Sequence, residues 1–182
     1  MVVTGATGGV GSIAVALLAR AGHRVVAVTG KTSEEAFLRE LGAAEVMDRR
    51  PLSEPTPAPL ESQRWAGGVD TVGGTVLANI LKAVRYRGTV AACGLAGGAE
   101  LHTTVYPFIL RGVRLYGIDS VYSPQEERLE AWQRVARDLP IDLLRRLASE
   151  VPLAKAPELA PAFLEGRVKG RFVVRVRADA EG

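Results

Sequence analysis

The chain alternates short runs of apolar residues with segments in which apolar residues recur every three or four positions. A short apolar run is typical of a buried strand, and the longer spacing is typical of a helix that packs one face against a core. Strand-like runs lie at residues 1–4, 24–29, 45–48, 69–72, 89–93 and 114–118. This alternation predicts an α/β fold, a doubly wound parallel sheet of about six strands with helices on both faces.

The first two helices have recognisable ends. Val10 and Leu17 fall on one face of the first helix, and Gly22 supplies its C-terminal stop. Thr32, with Glu35 three residues later, predicts a capping box at the start of the second helix. After the third strand, residues 51–59 contain four prolines, which block a helix interior and predict a surface connector.

Beyond residue 121 the strand and helix alternation gives way to helices. Pro124 opens an amphipathic helix, and further helices are predicted at about 142–148 and 157–164, before a last strand at 171–176. This is more chain than the sheet requires. We therefore divide the sequence into a sheet domain, residues 1–121, and a C-terminal unit, residues 122–182.

Composition limits which partners and which cellular compartment are expected for this chain. The chain is 47% hydrophobic and 24% charged, as in ordinary soluble globular proteins, and its net charge of +3 comes from interspersed signs, so nucleic acid is not expected as a partner. No run approaches the roughly 20 apolar residues of a membrane helix, and no signal peptide is recognisable, so no membrane partner is expected. Cys93 as the single cysteine excludes an intrachain disulfide, and with two histidines no zinc-ligand spacing occurs. We therefore expect a cytoplasmic protein without a metal site.

Four glycines, Gly5, Gly8, Gly9 and Gly11, lie between the first strand and the first helix. A dinucleotide pyrophosphate needs a turn without side chains and a helix N-terminus whose free N–H groups face the anion. Strand, turn and helix occur here in the required order within about 30 residues. The pattern predicts a Rossmann-type dinucleotide site, and a purely structural tight turn is the alternative.

The end of the second strand distinguishes NAD from NADP. An NAD site carries an acid there for the ribose hydroxyls, whereas a 2′-phosphate needs cations and hydroxyls. This chain has Thr29, Gly30 and Lys31, which offer a hydroxyl, space and a positive charge. The nearest acids, Glu34 and Glu35, are better explained by the start of a helix. We therefore predict NADPH as the cofactor, while a solvated loop lysine is an equally good explanation of Lys31 taken alone.

The fold leaves the chemistry open. Short-chain dehydrogenases begin with a similar glycine turn, but they catalyse with a tyrosine followed by a lysine four residues later, and none of the four tyrosines here has that lysine. A methyltransferase would carry an acid after the second strand, which is also missing. Both classes are disfavoured.

A more specific resemblance rests on five segments in order. They are residues 4–12 (TGATGGVGS), 29–31 (TGK), 65–73 (WAGGVDTVG), 90–98 (VAACGLAGG) and 107–115 (PFILRGVRL), the last continuing to residue 120. Together they resemble the cofactor-binding half of zinc-free medium-chain reductases, in the acrylyl-CoA reductase or quinone oxidoreductase subgroup. The similarity extends to residues 131–134 and 170–174, so it covers nearly the whole chain.

The resemblance implies NADPH-dependent reduction of an activated carbon–carbon double bond, as in acrylyl-CoA. Hydride passes to the β-carbon, a proton is added at the α-carbon, and the protein stabilises charge on the thioester oxygen. The implied partner is a small-molecule substrate, an enoyl-CoA or a quinone. The oligomeric state is open, and a homodimer is one option because relatives commonly form homodimers.

The resemblance also assigns cofactor contacts by motif position, and it assigns no catalytic residue. They are Gly8, Gly9, Val10, Gly11 and Ser12 for the pyrophosphate, Thr29, Gly30 and Lys31 for the 2′-phosphate, Leu95, Ile109 and Ser120 for the nicotinamide half, and Arg171 from the tail.

Several of these positions have plainer interpretations. Leu95 and Ile109 are equally well explained as core residues, Ser120 as a cap for the helix after Pro124, and Arg171 as an exposed strand residue.

Four other residues, Cys93, Asp70, Arg49 and Arg50, carry chemistry near the predicted strand ends. Cys93 ends a predicted buried strand and is interpreted as a small apolar filler. Asp70 is interpreted as a structural hydrogen-bonding residue, because a zinc-free hydride transfer needs no general base. Arg49 and Arg50 either approach the adenosine phosphate or lie on a solvated loop.

Relatives of this kind carry a catalytic domain before the glycine turn, whereas this sequence opens directly on the first strand. We therefore expect a piece of a longer protein, in which residues 122–182 return to the other domain and the substrate pocket is half absent. Two hypotheses remain: a reductase that is active in a longer form, and a stand-alone NADPH-binding module without turnover.

Overall fold

The computed structural model, which describes residues 1–177, contains a six-stranded parallel sheet. Its strands are β1 (Val2–Val3), β2 (Val26–Thr29), β3 (Glu45–Asp48), β4 (Trp65–Asp70), β5 (Val84–Ala92) and β6 (Arg114–Gly117). They pair in the order β3-β2-β1-β4-β5-β6, and every pairing is parallel. This Rossmann topology confirms the predicted fold.

Eight α-helices complete the described part of the chain. They are α1 (Gly9–Arg20), α2 (Glu35–Glu40), α3 (Arg50–Ser53), α4 (Gly74–Lys82), α5 (Tyr106–Arg111), α6 (Gln125–Asp138), α7 (Ile141–Leu147) and α8 (Ala156–Leu164). None of these helices within residues 1–177 is long and apolar enough to cross a membrane.

The sheet separates two hydrophobic cores. Val26 and Val28 face the core that contains α4, while Val25 and Ala27 face the core that contains α1, α2 and α7. Successive side chains of a strand point to opposite faces, so a run that is apolar at every position is buried on both sides. The continuous apolar runs of the sequence are explained by this two-sided burial.

The predicted capping box is wrong. Thr32 does not cap a helix: it begins a 3-10 turn, Thr32–Glu34, and α2 starts at Glu35 without a side-chain cap bond. The turn is instead set by backbone groups, because the Glu34 N–H donates to the Lys31 carbonyl at 3.0 Å. The connector at 51–59 begins within the short helix α3, where Pro51 occupies the first turn and no intrahelical N–H is lost.

The C-terminal unit contributes to the main core and carries a second, smaller sheet. Leu139, Leu143 and Leu147 are buried against the core on the α1 side of the sheet. Strands β7 (Ala148–Pro152) and β8 (Arg171–Arg175) form a parallel pair of their own. The residues before β8 thereby return to the N-terminal end of α1, where the Gly170 N–H donates to the Thr7 carbonyl at 2.9 Å.

Candidate functional site

The turn from β1 into α1 is packed so tightly that it excludes side chains. A Cβ at Gly11 would lie 2.2 Å from the Gly5 carbonyl oxygen, and a Cβ at Gly5 would lie 2.2 Å from Thr71 Oγ1. Gly5 also has a φ of +58°, which side chains rarely adopt. These two glycines are required by packing within the protein, so the structural interpretation of the turn is correct for them whether or not a ligand binds.

The N-terminal end of α1 has the properties of an anion site. The helix begins at Gly9 after Gly8, its first turn contains no acidic residue, and Val10 is about half exposed there. Ser12 Oγ is buried, and it has no hydrogen-bond partner within residues 1–177. A helix N-terminus presents free N–H groups and the positive end of the helix dipole. The residues present therefore fit the pyrophosphate that the sequence predicted.

Asp70 fastens the ends of β1 and β4 together beneath this turn. Thr4 Oγ1 donates to Asp70 Oδ1 at 2.6 Å, and the Gly73 N–H donates to Oδ2 at 2.7 Å. Burial raises the pKa of the Asp70 carboxyl, and the hydrogen bonds from Thr4 and Gly73 oppose that rise. The interpretation of Asp70 as a structural hydrogen-bonding residue is confirmed.

A cleft of about 760 Å³ opens beside the glycine turn, at the carboxyl ends of β1 and β2. Of the predicted cofactor contacts, the structure brings together Gly8, Thr29, Gly30 and Lys31 in its wall. In an open α/β sheet, ligands bind outside the carboxyl ends of the strands where the strand order reverses. The order β2-β1-β4 reverses here, so the cleft lies where this topology places a ligand.

Lys31 is directed into this cleft. Its backbone N–H donates to Thr29 Oγ1 at 3.0 Å, and its Nζ donates to the Val168 carbonyl. Burial lowers the pKa of the Lys31 ammonium, Glu34 raises it, and Arg49 lowers it further. Lys31 is therefore a partly buried cation whose ammonium donates to an uncharged carbonyl, and the interpretation as a freely solvated loop lysine is wrong.

Arg49 joins Lys31, whereas Arg50 does not. A Cβ at Gly30 would lie 2.8 Å from Arg49 Nε, so the space that glycine leaves is filled by the Arg49 guanidinium. The Arg49 N–H donates to the Thr29 carbonyl at 2.9 Å, which ties its backbone to the end of β2. Arg50 instead forms an ion pair with Asp48 at 2.6 Å, and its side chain is 87% exposed.

The residues assigned to the nicotinamide half are Leu95, Ile109 and Ser120. Leu95 and Ile109 are 67% and 68% exposed, so their interpretation as core residues is wrong. Neither they nor Ser120 are among the residues that line the cleft. Helix α6 starts after Pro124 without a side-chain cap, so Ser120 does not cap it.

Arg171 borders the glycine turn, and Cys93 follows the end of β5. A Cβ at Gly9 would lie 3.3 Å from Arg171 Cγ, so this tail residue lies against the first turn of α1. Cys93 is exposed, which makes its interpretation as a buried filler wrong. Its Sγ donates to the Asp70 carbonyl at 3.4 Å, and burial of the sulfur followed by the nearby Asp70 charge raises the pKa of the thiol. A raised thiol pKa disfavours a nucleophilic role.

Sequence reasoning missed the tail residues in the cleft wall. Glu165, Gly166, Arg167 and Val168 line the cleft although they lie more than 130 positions after Lys31 along the chain. No local pattern marks them, because their place depends on how β8 pairs with β7. Among residues 1–177, no three His, Cys, Asp or Glu side chains come together where they could hold a metal ion.

Comparison with known proteins gives one family match. The profile of the family described as zinc-binding dehydrogenase matches residues 9–137. Acrylyl-CoA reductase AcuI of Ruegeria pomeroyi is 51% identical over 178 residues, which are 98% of this chain and 54% of that protein. The chain thus spans about half the length of the curated relatives it matches.

Solved structures agree with this match. The crystal structure of Escherichia coli K-12 YhdH with bound NADPH superposes with a TM-score of 0.93 at 52% identity, over 97% of this chain and 54% of that one. Bacillus subtilis yhfP, solved with NAD bound, superposes with a TM-score of 0.89 at 47% identity, over 96% of this chain and 54% of that one.

Proposed function

This chain belongs to the family described as zinc-binding dehydrogenase, and its high identity to acrylyl-CoA reductase agrees with the medium-chain reductase resemblance of its motifs. From that membership we propose that it is the NADPH-binding half of an enoyl-CoA reductase. The observation that carries the cofactor choice is the pair of cations, Lys31 and Arg49, around Gly30 in the cleft wall. In this proposal residues 1–121 hold the cofactor together with Arg171 of the C-terminal unit, and that unit also contributes to the other half of the longer protein.

Charge at the end of β2 supports a 2′-phosphate there. The acid that would accept hydrogen bonds from the ribose of NAD is absent from positions 29–31. Glu34 does line the cleft, but its carboxylate forms an ion pair with Lys169 at 2.7 Å. Thr29 Oγ1 lies 3.2 Å from Thr7 Oγ1, so a hydroxyl pair borders the two cations. Guanidinium and ammonium groups beside hydroxyls are suited to a phosphate dianion.

The remaining contacts follow the glycine turn. The first turn of α1 would hold the pyrophosphate through the N–H groups of Gly9 and Val10, with Arg171 alongside. Leu95 and Ile109 are exposed apolar side chains on the side assigned to the nicotinamide, and they would be covered when the ring binds. When bound, NADPH supplies the hydride for reduction, and this half of the protein binds and orients the cofactor.

The substrate is proposed from the relatives. Acrylyl-CoA reductase is the name of the Ruegeria protein, and this chain shares half of its sequence positions over the cofactor-binding part. An enoyl-CoA thioester is therefore the substrate class that we propose for the full-length protein. A module that binds NADPH without turnover is the competing function.

The cofactor proposal is tested by titrating NADPH and NADH against the wild type, Lys31→Ala and Lys155→Ala. Lys155 is a matched control because it is an exposed lysine in an ion pair with Glu158 and does not line the cleft. A hydrogen bond to a charged group contributes about 1.5–3 kcal/mol, so Lys31→Ala should weaken NADPH roughly 10- to 100-fold and NADH little. Equal losses for both cofactors would overturn the assignment of the 2′-phosphate to Lys31.

Turnover is tested separately with NADPH and acrylyl-CoA, followed by the loss of NADPH absorbance. The 182-residue chain and a version extended to the length of its relatives are compared. Turnover by the extended protein supports the reductase. NADPH binding without turnover by either protein would favour the binding module.

A further inference from the structure

Residues 165–170, here called the strap, close one side of the cofactor cleft. Lys31 Nζ donates to the Val168 carbonyl, and Lys169 Nζ pairs with Glu34 Oε2 at 2.7 Å. The Gly170 N–H donates to the Thr7 carbonyl at 2.9 Å. The strap is therefore fastened to the glycine turn, to the end of β2 and to the 3-10 turn that follows it.

Arg167 occupies the middle of the strap and lines the cleft. Its backbone is held at the end of α8, where its N–H donates to the Ala162 carbonyl at 2.9 Å. Its guanidinium forms an ion pair with Glu165, a neighbour that also lines the cleft. Arg167 directly precedes Val168, the residue whose carbonyl accepts the Lys31 ammonium, so the two cations belong to the same wall.

The strap also balances the acids of the cleft. Three cations line it, Lys31, Arg49 and Arg167, together with the two acids Glu34 and Glu165. Each acid is paired with a strap cation: Lys169 pairs with Glu34, and Arg167 pairs with Glu165. With these acids neutralised, Lys31 and Arg49 remain to attract an anion at the end of β2.

We propose that Arg167 is a specificity-determining residue of the cofactor site and binds the 2′-phosphate together with Lys31. The inference rests on the proposed NADPH site and extends it to the C-terminal unit. The Arg167 side chain is 64% exposed, and within residues 1–177 its guanidinium is paired with Glu165, so it can exchange that carboxylate for a phosphate without unfolding any element. A planar guanidinium suits a phosphate because it can donate two parallel hydrogen bonds.

The test measures the contribution of the 2′-phosphate alone. Adenosine 2′,5′-bisphosphate and 5′-AMP differ only in that group, and both are titrated calorimetrically against the wild type, Arg167→Gln and Arg145→Gln. Arg145 is a matched control, since it is an exposed arginine paired with Asp142 at 3.4 Å on α7. Arg167→Gln should weaken the affinity for the bisphosphate about tenfold, as for one hydrogen bond to a charged group, and should leave the affinity for 5′-AMP unchanged. Arg145→Gln should bind both nucleotides as the wild type does.

A double variant separates contact from simple neutralisation. If Arg167 only offsets the charge of Glu165, then Glu165→Gln combined with Arg167→Gln restores the wild-type affinity for the bisphosphate, and the proposal is overturned. If Arg167 contacts the phosphate, the double variant remains weak. Equal losses for both nucleotides in Arg167→Gln would indicate a displaced strap and would also overturn it.

The proposed function can fail in a distinguishable way. A wild-type protein that binds the bisphosphate no better than 5′-AMP contradicts the 2′-phosphate site itself, and the role of Arg167 falls with it. A wild-type preference for the bisphosphate that Arg167→Gln leaves intact contradicts only the role of Arg167.

Discussion

Adding one methyl group at position 11 tests whether the glycine turn serves both packing and binding. In Gly11→Ala the new Cβ would lie 2.2 Å from the Gly5 carbonyl oxygen, 2.7 Å from its carbon and 2.9 Å from Ala6 Cα. Ordinary contacts begin at 3.4 Å. All three neighbours are backbone atoms, so no flexible side chain can move aside, and the turn from β1 into α1 must shift.

Two effects of opposite sign decide the stability of this variant. Alanine is favoured over glycine within a helix by about 1 kcal/mol. Overpacking of a tight interior costs about 1–3 kcal/mol, and the backbone contacts here favour the upper part of that range. We expect a net loss of about 1–2 kcal/mol, and for a chain of this size each kcal/mol lowers the melting temperature by about 2–4 °C.

The assay combines urea unfolding with NADPH titration well below the melting temperature. Gly117→Ala is the control, because a Cβ at Gly117 meets nothing within 4 Å and its φ is not positive, so its stability should change by less than about 0.5 kcal/mol. In Gly11→Ala the displaced turn should weaken NADPH by at least about tenfold, since the N–H groups at the start of α1 move with it.

Two results would refute this reasoning. A Gly11→Ala protein as stable as Gly117→Ala would mean that the turn yields more easily than its backbone contacts indicate. A destabilised protein with unchanged NADPH affinity would mean that the turn is needed only for packing, and the pyrophosphate would then have to bind elsewhere.

Two further predictions concern buried polar groups. Burial raises the pKa of the Asp70 carboxyl, although the hydrogen bond from Thr4 opposes that rise. The carboxyl therefore keeps its proton to higher pH in the folded state than in the unfolded chain. The free energy of unfolding falls as pH rises through the folded-state pKa. The free energy of unfolding of the wild type minus that of Asp70→Asn should therefore fall as pH rises above about 4, the ordinary pKa of aspartate, and a difference that grows with pH contradicts the argument. Asn79 Nδ2 donates to the carbonyls of Leu52 and Glu54 at 3.0 and 2.7 Å. Asn79→Ala should cost about 1–3 kcal/mol in urea unfolding, because a buried polar group loses its partner, and a loss under about 0.5 kcal/mol contradicts this role.

The local sequence was sufficient to predict the sheet and the position of the glycine turn. An apolar run buried on both faces, such as Val25 to Val28, has few other places in a folded chain, and a glycine stop such as Gly22 depends only on its own backbone. The motif at the end of β2 also indicated a cation, Lys31, at the edge that the cleft adjoins. These features depend on residues that are neighbours in the sequence, so a single sequence can report them.

Local sequence could not distinguish Arg49 from Arg50. The two are adjacent and chemically identical, and only the register of β3 against β2 directs Arg49 toward Gly30 while Arg50 pairs with Asp48. The exposure of Cys93 was missed for a similar reason, because β5 ends at Ala92 and the chain leaves the sheet there.

The sequence by itself therefore determined the Rossmann topology, the glycine turn and the residues at the end of β2. Only the tertiary structure decided that the strap, which carries Arg167 and Val168, lies against Lys31. The physical reason is distance along the chain: this contact joins residues 137 positions apart, and it exists because β8 pairs with β7 and returns the tail to the start of α1. No pattern of neighbouring side chains encodes such a pairing.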